Sequence, residues 1–220
     1  MLLLRPPGVY RPQGDTRMLA RALRRAGLPY GARVLDLCTG TGALALAAAR
    51  AGANATAVDV SRRAVLTARL NAAVHRVPLR VLLGDLAEPV AGETFDAVLA
   101  NPPYVIRAGA SGPAPHSRAR AWDAGADGRA LLDRVCAEAP RLLAPGGLLL
   151  LVHSELCGVH TTLAALRAAG LKAAVVDRGP EPFGPVMRAR AAALERHGVI
   201  GAGQRHEELV VIRADRPCRP

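Results

Sequence analysis

The apolar run Phe95-Asp96-Ala97-Val98-Leu99-Ala100 ends abruptly at Asn101-Pro102-Pro103-Tyr104, and no other feature restricts the fold as tightly. A run of this length and composition, closed by a breaker, reads as a buried strand. Two consecutive prolines cannot extend it, because proline lacks the N–H that a sheet ladder needs and fixes its own φ. The Asn101 side chain and the carbonyls of Pro102 and Pro103 are therefore expected to sit rigidly at the strand's C-terminal end. Ligands of open α/β sheets collect outside that end. The tetrapeptide offers acceptors for an NH2 group and an aromatic face, with no nucleophile and no metal ligand. Asn-Pro-Pro also makes ordinary turns, so its meaning depends on what accompanies it.

A second motif lies upstream, Val34-Leu35-Asp36-Leu37-Cys38-Thr39-Gly40-Thr41-Gly42-Ala43. An apolar run meets an acid, then a glycine-spaced loop, then the helical stretch Ala43 to Arg50. Gly40 and Gly42 let backbone approach a ligand closely, and the start of the following helix favours electron-rich groups. The next strand-like run, Ala55 to Val60, contains a second acid, Asp59, at the distance where nucleotide-type folds place a ribose-binding carboxylate. No third glycine follows at 44–46, which argues against a plain NAD site, and no Gly-Lys-Ser/Thr is present for a phosphate loop. Cys38, inside the loop, reads as a small buried filler with no neighbouring His to activate it.

Strand and helix signals alternate along the chain. Strands are expected at Val34–Leu37, Ala55–Val60, Pro78–Leu83, Phe95–Ala100, Leu148–Val152, Leu171–Val176 and Glu208–Arg213. Helices are expected at Thr16–Ala26 with Asp15 as N-cap, Ala43–Ala51, from Ser61 to about His75, Gly128–Leu143, Cys157–Ala169 and Met187–His197. This alternation predicts a doubly wound α/β fold with a parallel sheet covered on both faces. Residues 107–127, rich in Gly, Ala and Pro, read as a long mobile loop after the proposed site, carrying the sole tryptophan, Trp122, as a lid or partner contact or a packed anchor. Residues 179–203 read as a proline-led excursion before the last strand.

The 220 residues suffice for one domain with a substantial core, and half of them are apolar, which excludes global disorder. Cys38, Cys136, Cys157 and Cys218 form no Cys-x-x-Cys pair, and the six histidines show no ligand spacing, so no metal site is expected. Met1-Leu2-Leu3-Leu4 is too short for a signal or a membrane span, which predicts a cytoplasmic, reduced protein. The formal net charge of +11 suits an acidic partner such as nucleic acid, but the basic residues are scattered and lack interleaved aromatics, so nucleic acid is the less favoured partner.

These residues resemble the class I S-adenosylmethionine-dependent methyltransferases, and within them the HemK-type protein glutamine N-methyltransferases, in their short single-domain branch. The resemblance rests on Val9-Tyr10-Arg11-Pro12 with Asp15-Thr16, on Asp36 to Gly42, Asp59, Gly84-Asp85, Asn101 to Val105, and Ala121-Trp122 followed by Gly128-Arg129. It implies a Rossmann-like, mostly parallel seven-stranded sheet with an antiparallel last strand. It implies S-adenosylmethionine as cofactor, with S-adenosylhomocysteine as product. Asp36, Cys38, Thr39, Gly40 and Gly42 would hold its amino-acid end, and Asp59 with Val60 its ribose. Gly84 and Asp85 would meet its adenine. Residues 1–30, through Asp15 and Thr16, would cover the methionine end. Asn101, Pro102 and Tyr104 would orient the methyl-accepting nitrogen, with Asn101 also bordering the cofactor. The implied substrate is the glutamine of a translation release factor, with a small activator subunit as a further partner. A base amine of DNA or RNA, or a small-molecule amine, is the alternative acceptor. The chain departs from the family pattern at Gln13-Gly14, where an acid is usual, and at Cys38-Thr39, where Gly or Ser is usual.

Overall fold

The computed structural model describes residues 2–107 and 124–218. Trp122 and most of the 107–127 loop lie outside these residues. The elements run α1 (Gly14–Ala26), β1 (Arg33–Leu37), α2 (Ala43–Arg50), β2 (Asn54–Asp59), α3 (Arg62–Val74), β3 (Arg80–Leu83), β4 (Phe95–Ala100), α4 (Leu132–Leu142), β5 (Leu143–Ser154), α5 (Val159–Ala168), β6 (Lys172–Pro182), α6 (Pro185–Arg196) and β7 (His206–Asp215). The strands form one sheet in the order β3-β2-β1-β4-β5-β7-β6. The pairs β1–β2, β2–β3, β1–β4 and β4–β5 are parallel. β7 runs antiparallel to both of its neighbours, β5 and β6. This is the mostly parallel, doubly wound sheet with an antiparallel last strand that the sequence predicts.

The chain winds outward from β1 to β3, then returns to place β4 on the other side of β1. The switch point between β1 and β4 opens a crevice at the carboxyl ends of both strands. Alternation within strands sends side chains to two cores. Val34, Ala57, Ala97, Leu99 and Leu150 pack under α1, α2 and α3. Leu35, Leu37, Val98, Leu149 and Leu151 pack under α4, α5 and α6. The central strand β5 buries Leu148 to Leu151 on both faces, each side chain contributing about 1.5–3 kcal/mol.

Several boundaries differ from the sequence expectation for identifiable reasons. α1 begins at Gly14 with Gln13 as N-cap, and the carboxylate that accepts the Gly14 N–H, at 3.0 Å, is Glu181 from β6. Asp15 is therefore not the N-cap; its carboxylate is engaged elsewhere. α4 starts at Leu132 rather than Gly128, because Gly128 has φ +77° and lies against the Tyr104 carbonyl. β5 starts at Leu143 and runs through Pro145-Gly146-Gly147, which its ladder with β4 absorbs in a register shift between Phe95 and Ala97. β6 runs to Pro182, well beyond Val176, and accommodates Pro180 because it is an edge strand. That extension shortens the proline-led excursion, whose helix runs Pro185–Arg196.

Candidate functional site

The carboxyl ends of β1, β2 and β4 open into a cavity of about 1010 Å³. The glycine loop forms its floor. Cys38, Gly40 and Gly42 all adopt positive φ, at 57°, 55° and 82°. Cys38 thus holds a left-handed conformation that costs a non-glycine residue roughly 1–2 kcal/mol. Its half-buried thiol borders the cavity, and burial, followed by the nearby Asp59 and Asp36 carboxylates, keeps it protonated by raising its pKa well above the ordinary value.

Asp36 is buried beneath the loop and does not border the cavity. One of its oxygens accepts from the Thr39 hydroxyl and from the Ala45 N–H, at 3.1 Å, which ties the loop to the first turn of α2. The other oxygen, Oδ1, is buried without a hydrogen-bond partner. Burial pushes this carboxyl up to about 7, against the opposing effect of the Thr39 and Ala45 bonds. Gly42 also lies off the cavity wall. A Cβ there would come within 3.1 Å of the Ala68 side chain, so this glycine serves the packing of the loop on α3. Gly84 is similar: a Cβ would sit 2.7 Å from the Pro89 ring.

Asp59 closes β2 and does border the cavity. Its two oxygens accept the N–H groups of Gly40 and Ser61, both at 2.9 Å. Each oxygen keeps capacity for a further hydrogen bond. Burial raises its pKa, and the two backbone bonds oppose the shift. Val60 lines the adjoining wall, and Asp85 stands further along it, paired at 3.0 Å with Arg134 of α4. Next to Asp85, the buried Leu86 has φ +47° and lines the same region.

The opposite end holds Asn101, Pro102, Pro103 and Tyr104, all of which border the cavity. Two residues of α1 reach them. Thr16 Oγ1 accepts from Asn101 Nδ2 at 3.3 Å. Asp15 Oδ2 accepts from the Tyr104 hydroxyl at 3.1 Å and from the Tyr10 hydroxyl at 2.6 Å. Burial, then Asp15, raises both tyrosine pKa values, so both hydroxyls keep their protons. The amino-terminal segment lies across α3, where Asn71 accepts the Leu4 N–H and donates to the carbonyls of Leu4 and Thr41. One fully buried amide thus joins that segment to the glycine loop.

Behind Tyr104, Gly128 approaches so closely that a Cβ would lie 2.5 Å from the Tyr104 carbonyl oxygen. Arg129 follows, and its buried guanidinium donates to the carbonyls of Cys157 and Gly158, to the Thr162 hydroxyl and to Asp133. β7 adds Glu207 to the cavity wall beside Glu181 from β6. Burial pushes the Glu207 carboxyl up to about 7, opposed by a bond from Ser154 and reinforced by Asp15 and Glu181. The sequence reading assigned no role to Tyr10, Leu86, Arg134 or Glu207. Two of them had a usable signal: Tyr10 lies in the segment that carries the resemblance, and an antiparallel last strand brings the start at Glu207 to the carboxyl edge. Among the described residues, no group of three His, Cys, Asp or Glu side chains is arranged to hold a metal, and no helix is long and apolar enough to cross a membrane.

A family model described as the methyltransferase small domain matches residues 3–114. A putative protein N5-glutamine methyltransferase of Methanocaldococcus jannaschii is 34% identical over 190 residues, covering 82% of this chain and 90% of that protein. A release factor glutamine methyltransferase of Geobacter sulfurreducens is 35% identical over 151 residues, covering 66% of this chain and 52% of that protein. A ribosomal protein uL3 glutamine methyltransferase of Bradyrhizobium diazoefficiens is 42% identical over 122 residues, covering 52% of this chain and 38% of that protein. The chain thus spans about half or less of these two bacterial relatives. The solved Mtq2–Trm112 complex of E. cuniculi, described as responsible for methylation of the eRF1 termination factor, shares the fold. Its TM-score is 0.66 at 23% identity, over 95% of this chain and 99% of that one. The glycine loop, the acid at the end of β2 and the Asn-Pro-Pro-Tyr corner face one cavity, and the chain belongs to the small-domain methyltransferases, in the protein glutamine methyltransferase family.

Proposed function

We propose that this protein transfers a methyl group from S-adenosylmethionine to the side-chain amide nitrogen of a protein glutamine, most specifically the Gly-Gly-Gln glutamine of a translation release factor. The observation that carries the reading is the placement of Asn101 and Tyr104 in the same cavity as Gly40 and Asp59. One end suits a nucleoside with a charged amino-acid tail. The other suits a planar amide.

The cofactor end is tested by the donor set itself. Asp59 borders the cavity at the right end of the sheet and keeps acceptor capacity on both oxygens for paired ribose hydroxyls. Val60, Asp85 and Leu86 provide two apolar walls and an acceptor, which fits a purine with an exocyclic amine. When bound, the cofactor supplies a methyl group already activated on a sulfonium. A primary amide is a poor nucleophile because its nitrogen lone pair is delocalised. Asn101 Oδ1 and the Pro102 carbonyl accept its two N–H groups and turn the nitrogen toward the methyl donor, while Tyr104 packs on the amide plane. Orientation and electrostatic placement then supply much of the rate, and no side chain needs to remove a proton first.

Relatives named for release factors and for a ribosomal protein support a protein acceptor. So do Asp15, Glu181 and Glu207, which border the cavity and would repel a phosphate backbone. The net charge of +11 favours the second reading, a base amine in nucleic acid. A small activator subunit belongs to the first reading, since Mtq2 was solved with Trm112, and so does residence in the cytosol with the translation machinery. The test is transfer of label from S-adenosylmethionine to a purified release factor, with and without such a subunit, beside tRNA, rRNA and DNA. Label that disappears when the Gly-Gly-Gln glutamine is changed supports the proposal. Label confined to nucleic acid overturns the acceptor and keeps the site.

A further inference from the structure

We infer that Thr16 and Asp15 position the acceptor site, fixing which end of the Asn101 amide faces the cavity; the inference rests on the amide-acceptor reading above. An asparagine side chain has two nearly isosteric ends, one donor and one acceptor. Only the oxygen end can receive an incoming NH2 group. With the ends exchanged, donor would face donor, and a buried mismatch of that kind is costly.

The hydrogen bonds around Asn101 decide between the two. Asp15 is a carboxylate, an acceptor only. The Thr16 hydroxyl lies 3.1 Å from Asp15 Oδ1 and has a single proton, which it donates there. Its lone pairs remain, so it must accept from its other partner, the Asn101 side chain at 3.3 Å. That partner is therefore Nδ2, and Oδ1 points to the cavity. Thr16 and Asp15 are only 8% and 2% exposed, which limits the water that can compete for these roles.

The second Asp15 oxygen takes the hydroxyls of Tyr104 and Tyr10. One carboxylate is thus the terminal acceptor for both side chains of the acceptor corner, Asn101 through Thr16 and Tyr104 directly. Through Tyr10 it also holds the amino-terminal segment. Covering the site and orienting its amide are one arrangement. Toward the acceptor corner Thr16 and Asp15 are positioning residues, a role distinct from the cover over the methionine end that the resemblance implies for them.

The test uses the full chain and two readouts. Thr16→Val keeps the shape but removes both the donor and the acceptor. At saturating S-adenosylmethionine its kcat on a glutamine-bearing acceptor is expected to fall about 10- to 100-fold. Thr16→Ser should restore kcat to within about threefold. A kcat at saturating cofactor within about threefold of wild type in Thr16→Val would overturn the inference and leave Thr16 a cofactor-covering role alone. The second readout needs no acceptor. In 15N-labelled protein, the Asn101 side-chain NH2 pair, identified by its loss in Asn101→Asp, should shift and exchange faster with water in Thr16→Val and return in Thr16→Ser. An unmoved pair overturns the inference. If wild type methylates no glutamine, the proposed acceptor fails while the NMR result still decides the orientation.

Discussion

The Gly40 N–H donates to Asp59 Oδ2 at 2.9 Å, so the glycine loop after β1 is anchored to the end of β2 by the same carboxylate that faces the nucleoside end of the cavity. Asp59→Asn replaces one acceptor oxygen with a donor, which then opposes the N–H of Gly40 or Ser61. Affinity for S-adenosylhomocysteine, titrated by calorimetry, is expected to drop roughly 10- to 100-fold. Turnover at saturating cofactor should change far less. Unchanged affinity would show that Asp59 only fastens the loop.

Gly128→Ala places a methyl group 2.5 Å from the Tyr104 carbonyl oxygen and 2.6 Å from Cys157 Sγ, at a backbone φ of +77°. Backbone lies on one side and a buried sulfur on the other, so neither neighbour yields easily. The expected cost is about 2–4 kcal/mol. For a chain of this size that lowers Tm by roughly 6–12 °C. Scanning calorimetry decides it, and a Tm within a degree of wild type contradicts the packing described here.

Cys38→Gly should behave unlike most substitutions to glycine. The side chain now holds φ +57°, and relieving that strain offsets the extra freedom glycine gains in the unfolded chain. The net change is expected to lie between zero and about 1 kcal/mol of added stability. Cys38→Val, branched at Cβ in the same conformation, should destabilise. Urea titration of the pair gives the sign, and equal losses in both variants would sink the strain argument.

The pH dependence of stability has a defined sign at Glu207. Burial raises its folded-state pKa from 4.5 to about 7. Its contribution is therefore complete below about pH 4.5 and disappears as pH rises through about 7. Relative to wild type, Glu207→Gln should gain stability across that window, by on the order of 2–3 kcal/mol at the upper end. His153, lowered from 6.5 to about 4 by burial, acts the other way in wild type, favouring the fold above about pH 6.5. Comparing the variant with wild type at each pH cancels that opposing slope. A difference in Tm that stays flat from pH 4 to 8 would exclude the predicted burial of the Glu207 charge.

Much of the scaffold was legible because local signals agreed with the fold. β4 spans Phe95–Ala100, the run that the Asn-Pro-Pro stop delimits, and Ser61 caps α3 by accepting the Ala64 N–H. The misreadings share a cause, a tertiary partner that overrode a local rule. Asp15 has the chemistry of an N-cap, but Tyr10 and Tyr104 compete for its carboxylate and Glu181 takes over the helix end. Gly179-Pro180-Glu181-Pro182 reads as a loop, yet β7 pairs with it residue by residue to His206. Gly42 and Gly84 are spaced like ligand-contacting glycines, and their actual neighbours, Ala68 and Pro89, cannot be read from that spacing. Arg134 carries no motif; it reaches Asp85 only because α4 crosses the sheet there.

The sheet order also sets a timetable. Among the described residues, the one strand that β6 pairs with in the sheet is β7, and β7 lies between β6 and β5. A ribosome releases β6 before β7 exists, so that strand lacks its sheet neighbour until β7 has been made. β7 then pairs with β6 on one side and β5 on the other, closing pairings such as Leu148 with Asp215 across most of the carboxyl-terminal third of the chain. Such long-range closure is slow compared with local winding, and it comes on top of the earlier return that pairs Val34 with Ala97. The wall that carries Glu207 is thus the last to be built, and a growing chain holds the Asn101 corner long before it holds a finished pocket.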